Sequence, residues 1–134
     1  MKSRIGAVAL AATVVAAGNA FAAEVVRHKI PNSNFPIARA VEVPADKTTV
    51  YLSGAVPSVI DEKADKATVA AYGDTKAQTE SVLKSIDKTL NELGLKMGDV
   101  IKMTVFLVGD PGKGGKMDFA GFMEGYTQFF GTEA

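Results

Sequence analysis

Few residues in this sequence could carry out chemistry, and they lie far apart along the chain. Ser53 and Gly54 follow an apolar run, and His28 is the single histidine. Arg39 lies in an alternating segment, where its guanidinium could grip an anion. A glycine-rich stretch, 109–116, ends in lysine, as phosphate-binding loops do. None of these features alone identifies a reaction.

Each of these features also has a simpler structural interpretation. Serine and glycine are ordinary turn residues at strand ends, and His28 lies in an irregular N-terminal segment where we expect it to be solvated. In the stretch 109–116, Asp110 occupies the position that needs a glycine, and Met117 the position of a magnesium-binding Ser or Thr. We therefore predict a flexible loop there rather than a phosphate site.

Composition excludes several classes of site. The 134 residues include no cysteine and one histidine, which rules out thiolate nucleophiles, Cys-ligated metals and paired-histidine metal sites. Fifteen basic residues balance fifteen acidic ones, so we expect no nucleic-acid partner. Asp61, Glu62 and Asp65 alternate with lysines, which favours a solvated loop over a cation site.

The first 22 residues have the organisation of a secretory signal peptide. A basic head, 1–4, precedes a small apolar run, 5–17, and Ala20-Phe21-Ala22 is a small-x-small cleavage site. A membrane anchor would need about 20 apolar residues, and this run is shorter. We predict cleavage after residue 22, leaving a periplasmic or secreted domain, 23–134, with no membrane association.

Hydrophobic periodicity predicts an α+β domain. Alternation over 37–43 and β-branched and aromatic residues over 48–53 predict two strands paired as a hairpin. A weaker strand pattern covers 24–30, and 100–108 predicts a further strand with both faces covered. The long connection 55–73, which follows the strand 48–53, shows no clear periodicity, and loops of that length are often functional.

Two amphipathic helices follow from spacings of three and four residues. The first is capped by Asp74 or Thr75 and ends at Gly94. The second is capped by Asp118, carries an aromatic stripe and ends at Gly131. Two such helices need more sheet than these strands provide. We therefore expect that strand edges pair with other subunits, or that C-terminal strands are missing from the sequence.

Four stretches, in this order, resemble one family over about residues 35–134. They are Ser53-Gly54-Ala55-Val56-Pro57, Gly73-Asp74 with Gln78-Thr79 and Val82-Leu83, Asp99 to Leu107, and Met117 to Ala120 with Tyr126 and Phe129-Phe130. Together they resemble the RidA family, or YjgF-type proteins, which are small reactive enamine/imine deaminases.

The resemblance implies a chorismate-mutase-like fold, in which a mixed sheet carries two helices on one face. It also implies a homotrimer with ligand pockets between subunits. The implied reaction is hydrolytic deamination of 2-imino or enamino acids to 2-oxo acids and ammonia, without a metal or organic cofactor. An arginine clamps the substrate carboxylate and a glutamate helps water attack, but both would follow Ala134, so catalytic residues within this sequence are unknown.

The resemblance carries four substrate-binding positions onto this sequence. Ser53 matches the pocket serine, and Gly54 matches the residue whose backbone lies close to the ligand. Ile37 replaces a pocket tyrosine and Met123 replaces an asparagine of the second helix, which makes the predicted pocket more apolar. Arg39 takes a glutamine position and is the one strand arginine that could substitute as an anion clamp.

Two functions remain open at this point. The first is a RidA-family hydrolase acting on reactive imines, although the sequence as written lacks the arginine and the glutamate that this reaction needs. The second is a non-catalytic trimer of the same fold that binds a small metabolite in the same pocket.

Overall fold

A computed structural model describes residues 23–131, and the predicted signal peptide lies outside the described residues. The ordered elements are strands β1 (Val26–Lys29) and β2 (Ala38–Glu42) and helices α1 (Thr75–Glu92) and α2 (Phe119–Tyr126). One-turn 3-10 helices lie at Val69–Ala71, Met97–Asp99 and Pro111–Lys113. The predicted α+β class is confirmed. Within 23–131, no helix combines the length and apolar character needed to span a bilayer.

Both ends of α1 form where the sequence predicts them. The Asp74 carboxylate accepts a hydrogen bond from the Ala77 N–H at 2.8 Å, which satisfies a free donor of the first turn. At the other end Gly94 adopts a left-handed φ of 74°. The Leu95 N–H then donates to the Leu90 carbonyl at 2.8 Å, closing the helix in a glycine-based cap.

Helices α1 and α2 pack closely because Gly125 has no side chain at their contact. Gly125 is buried in α2. A methyl group on it would lie 2.9 Å from Cβ of Thr79 and 3.0 Å from the Lys76 carbonyl oxygen. Both neighbours belong to the first part of α1, so the two helix backbones meet at this point.

The predicted aromatic stripe is present, although α2 is shorter than predicted. Ring centroids are 6.0 Å apart for Phe119 and Phe122, 5.5 Å for Phe122 and Tyr126, and 4.9 Å for Tyr126 and Phe130. The helix ends at Tyr126, and the chain turns before Gly131, whose φ is 76°. Stacking therefore continues the stripe beyond the last helical residue.

The strand pairing differs from the predicted hairpin. β2 pairs antiparallel with β1, with His28 opposite Ala40, whereas we predicted 48–53 as the partner of 37–43. The turn over 31–34, in which Asn32 has a φ of 55°, folds β1 back onto β2. A short polar turn thus outweighed the stronger apolar pattern of 48–53.

The two remaining predicted strands, 48–53 and 100–108, form no strand pairing within residues 23–131. Their apolar side chains include Tyr51 and Phe106, which are 90% and 88% exposed. The buried apolar side chains among the described residues are few, namely Ala71, Leu83 and Leu90. A strand pattern in the sequence identifies a segment that suits a sheet but does not identify its partner strand. Within residues 23–131, α1 and α2 pack mainly on each other.

Replacing Gly125 with alanine should force the two helices apart. We expect Gly125→Ala to lower the free energy of unfolding by about 1–3 kcal/mol, the usual cost of overpacking, measured by urea denaturation. Gly98→Ala is the matched control, because a methyl group at Gly98 would meet no atom within 4 Å. Equal losses in the two variants would contradict this view of the helix contact.

Candidate functional site

Ser53 and Gly54 lie in a cleft between the segment 52–56 and one face of α1. The cavity has a volume of about 360 Å³. Its lining residues are Leu52, Ser53, Gly54, Ala55, Val56, Ser85, Ile86 and Thr89. Three hydroxyls therefore share the cleft with aliphatic side chains, and the residues that line it include no titratable group.

Hydrogen bonds from α1 shape this cleft. The Ser58 N–H donates to the Ser81 hydroxyl oxygen at 3.0 Å, which holds the chain beyond the cleft against the helix. Within α1, the Thr89 hydroxyl donates to the carbonyl of Ser85, which lies one turn earlier, at 3.1 Å. Because that donation uses the hydroxyl proton, Thr89 presents acceptor lone pairs to the cleft.

The backbone at Gly54 is open to an incoming molecule. Ser53 and Gly54 are both exposed, and a methyl group at Gly54 would have no neighbour within 4 Å. A small ligand can therefore approach the main chain there as well as the Ser53 hydroxyl. Hydroxyl donors beside an apolar wall suit a small molecule with one polar group and an aliphatic part.

Ile37 and Met123 do not line this cleft within one chain. Ile37 is half exposed and follows Pro36, whose carbonyl accepts a hydrogen bond from the Tyr126 hydroxyl at 3.1 Å. Met123 lies half-buried on α2, three residues before Tyr126. The structure thus places two predicted pocket residues against α1 and two near the end of α2, and a shared pocket stays a prediction.

His28 and Arg39 share a different cavity, which sequence reasoning missed. It measures about 400 Å³ and lies over the β1–β2 pair, lined by His28, Lys29, Arg39, Ala40 and Glu42. His28 is exposed, as predicted, and its Nε2 lies 2.6 Å from the Glu42 carboxylate. The signal that could have shown this grouping is the turn over 31–34, which brings the two strands together.

The glycine-rich stretch forms a local turn. The Asp110 carboxylate accepts the Gly112 N–H at 2.7 Å, and the Asp110 N–H donates to the Lys116 carbonyl at 2.9 Å. Lys113 lies 3.5 Å from the Asp118 carboxylate, so this lysine has an internal partner. The predicted loop contains a 3-10 turn closed by hydrogen bonds, and its flexibility stays a prediction.

The acidic loop also forms internal contacts. The carboxylates of Asp61 and Asp65 accept backbone N–H groups two residues on, each at 2.9 Å. Glu62 lies 3.3 Å from the Lys66 ammonium. Across 23–131, no three His, Cys, Asp or Glu side chains group as metal ligands would.

Comparison with known proteins identifies the family. The profile described as Endoribonuclease L-PSP, the family also named RidA or YjgF, matches residues 31–134. The chain belongs to the RidA family. The four motifs on which the resemblance was based lie within the matched range, and the two-helix α+β structure is consistent with the RidA fold.

Two curated relatives are RutC family proteins of Pyrococcus species. The one from Pyrococcus abyssi is 32% identical over 103 residues, which cover 77% of this chain and 70% of the relative. The one from Pyrococcus horikoshii is 35% identical over 82 residues, covering 61% of this chain and 56% of the relative. This RidA-family chain thus spans little more than half of the second relative.

Removing the Tyr126 hydroxyl tests how the Ile37 segment is held. We expect Tyr126→Phe to cost about 1 kcal/mol of stability, the value of one lost hydrogen bond, measured by urea denaturation near neutral pH. Tyr51→Phe makes the same chemical change at a hydroxyl that has no hydrogen-bond partner among residues 23–131, so it should cost less than Tyr126→Phe.

The same variant has a predicted pH signature. Burial raises the pKa of Tyr126 above its usual 10.0, so the unfolded chain loses the phenolic proton at a lower pH than the folded chain. The stability due to this difference is present below pH 10.0 and is lost as pH rises through the folded-state pKa. Tyr126→Phe should show a smaller alkaline loss than the unmodified protein, and an identical loss would contradict the assignment.

Proposed function

We propose that the cleft at Ser53 and Gly54 binds a small 2-imino acid, and that this RidA-family protein hydrolyses it to a 2-oxo acid and ammonia. Family membership supports the reaction class. The single observation that carries the proposal is the accessible Ser53–Gly54 edge facing Ser85 and Thr89 across a cavity of small-molecule size.

The proposed reaction needs little from the protein beyond position and charge. Water attacks the imine carbon and forms a C–O bond, the nitrogen takes up protons, and the C–N bond then breaks to release ammonia. The remaining carbon keeps its oxygen as a carbonyl. A group that holds the substrate carboxylate fixes the carbon beside the water, and such positioning accounts for much of the rate.

We assign binding, not proton transfer, to the described residues. Ser53 can donate to a carboxylate oxygen, and the open backbone at Gly54 allows the ligand to lie against the main chain. Leu52, Val56 and Ile86 form the apolar part of the cleft, which suits a short aliphatic substrate side chain.

The proposal includes assembly into a homotrimer, with Ile37 and Met123 joining a pocket between subunits. Exposed apolar side chains on the unpaired segments 48–53 and 100–108 support assembly, because monomers rarely leave large apolar areas in water.

Sedimentation equilibrium tests the proposed assembly. We expect the mass of three chains at micromolar concentration. A compact monomer that exposes no dye-binding apolar surface would contradict the proposed trimer, and with it the placement of Ile37 and Met123 in a shared pocket.

An imine-trapping assay tests the reaction. With an enzymatic system that generates 2-iminobutanoate, we expect the protein to accelerate imine loss. Ser53→Ala should lower kcat/KM about tenfold, because one hydrogen bond to an anionic substrate is lost. Ser58→Ala is the matched control, since Ser58 uses its backbone N–H and not its hydroxyl to contact α1.

Non-catalytic binding is the second candidate function. The observation that favours it is the absence of a titratable side chain among the residues that line the Ser53 cleft within 23–131. A rise in thermal midpoint with 2-oxobutanoate, without acceleration of imine loss, would select binding over hydrolysis. No acceleration and no ligand-induced shift would contradict both functions.

A further inference from the structure

A β-bulge in β2 brings several basic side chains together on the β1–β2 pair. His28 pairs with Ala40 and Lys29 with Ala38, so Arg39 is an extra residue without a partner on β1. Bulges bend a strand and redirect the side chain of the extra residue. As a result Arg39 lines the same cavity as His28, Lys29 and Glu42, although regular alternation would place Arg39 and Ala40 on opposite faces.

Charge in this cavity is unbalanced. The residues that line it include two basic side chains, Lys29 and Arg39, and a single carboxylate, that of Glu42. Glu42 is engaged by His28, with 2.6 Å between Nε2 and the carboxylate oxygen. Among residues 23–131, neither Lys29 nor Arg39 has a carboxylate oxygen within 4 Å.

Arg27, which lies on β1 together with Lys29, has a structural role. Its guanidinium donates to the carbonyl of Gly98 at 2.6 Å and to that of Val100 at 3.4 Å. These bonds join β1 to a segment more than 70 residues away. Within the described chain no hydrogen bond of this kind involves the Arg39 guanidinium or the Lys29 ammonium, so the fold leaves both groups available to a ligand.

We propose that this cavity is an anion-binding site, separate from the Ser53 cleft, for a small organic molecule that carries phosphate or paired carboxylate oxygens. The planar Arg39 guanidinium can hold two such oxygens at once, and Lys29 adds a second positive charge beside it. A volume of about 400 Å³ fits a small metabolite. The paired His28 and Glu42 also line the cavity, and the Glu42 carboxylate repels an anion that comes close to it.

Nuclear magnetic resonance titration of the protein with two probes, inorganic phosphate and succinate, tests the site. Each probe is compared with sodium chloride at equal ionic strength. We expect saturable shifts of the backbone amides of β1 and β2 with at least one probe. The probe that binds more tightly identifies phosphate or dicarboxylate as the ligand class.

Three variants separate this site from general surface charge. Arg39→Gln should weaken binding about tenfold, because a bidentate charged contact is lost, and Glu42→Gln should tighten it because a repulsive charge is removed. Lys47→Gln removes a lysine from the turn after β2, outside the cavity, and should leave affinity unchanged. Circular dichroism spectra and thermal midpoints establish that each variant is folded.

Two outcomes would overturn the proposal. The first is the absence of saturable shifts on β1 and β2 with both probes. The second is equal weakening by Arg39→Gln and Lys47→Gln, which would indicate screening by surface charge instead of a site. Because the imine assay does not involve this cavity, either result leaves the proposed deaminase function unaffected.

Discussion

The close contact between α1 and α2 at Gly125 is the constraint on which the rest of the described structure depends. The residues buried elsewhere are few, and the sheet has two strands within 23–131. The helix pair therefore provides the rigid surface to which other segments attach. Ser58 bonds to Ser81 on α1, and the Pro36 carbonyl bonds to Tyr126 on α2. Each predicted pocket residue is thus held, directly or through a neighbour, by one of the two helices.

This arrangement separates binding surfaces from the elements that support them. The Ser53 cleft uses the outer part of α1 together with a segment that has no strand partner. The cavity at Arg39 uses β1 and β2 and makes no use of the helices. A ligand at either place would contact side chains that contribute little to the packing of α1 against α2, so affinity at each can change without loss of the fold.

Local signals in the sequence predicted the helices well and the sheet poorly. Asp74, Gly94 and Asp118 determine helix ends through short-range hydrogen bonds, and these contacts need no knowledge of the remaining chain. Strand partners depend on distant residues, and the choice between 24–30 and 48–53 as the partner of β2 rested on the turn over 31–34. The family was recognisable because its motifs keep their order over about a hundred residues, as the match to 31–134 confirms. In the structure Ser53 lines a cleft. His28 and Arg39 line one cavity because of the strand register, which the spacing of residues in the sequence does not show.

The bulge at Arg39 also affects which sequence changes this surface can accept during evolution. Deleting that one codon would restore uninterrupted pairing between β1 and β2, because Lys29 and Ala38 would then continue the ladder that His28 and Ala40 begin. The β1–β2 pair would become more regular, but it would lose the Arg39 guanidinium. A single in-frame deletion can therefore remove a charge from this surface without disturbing the helices, and a single insertion can create one.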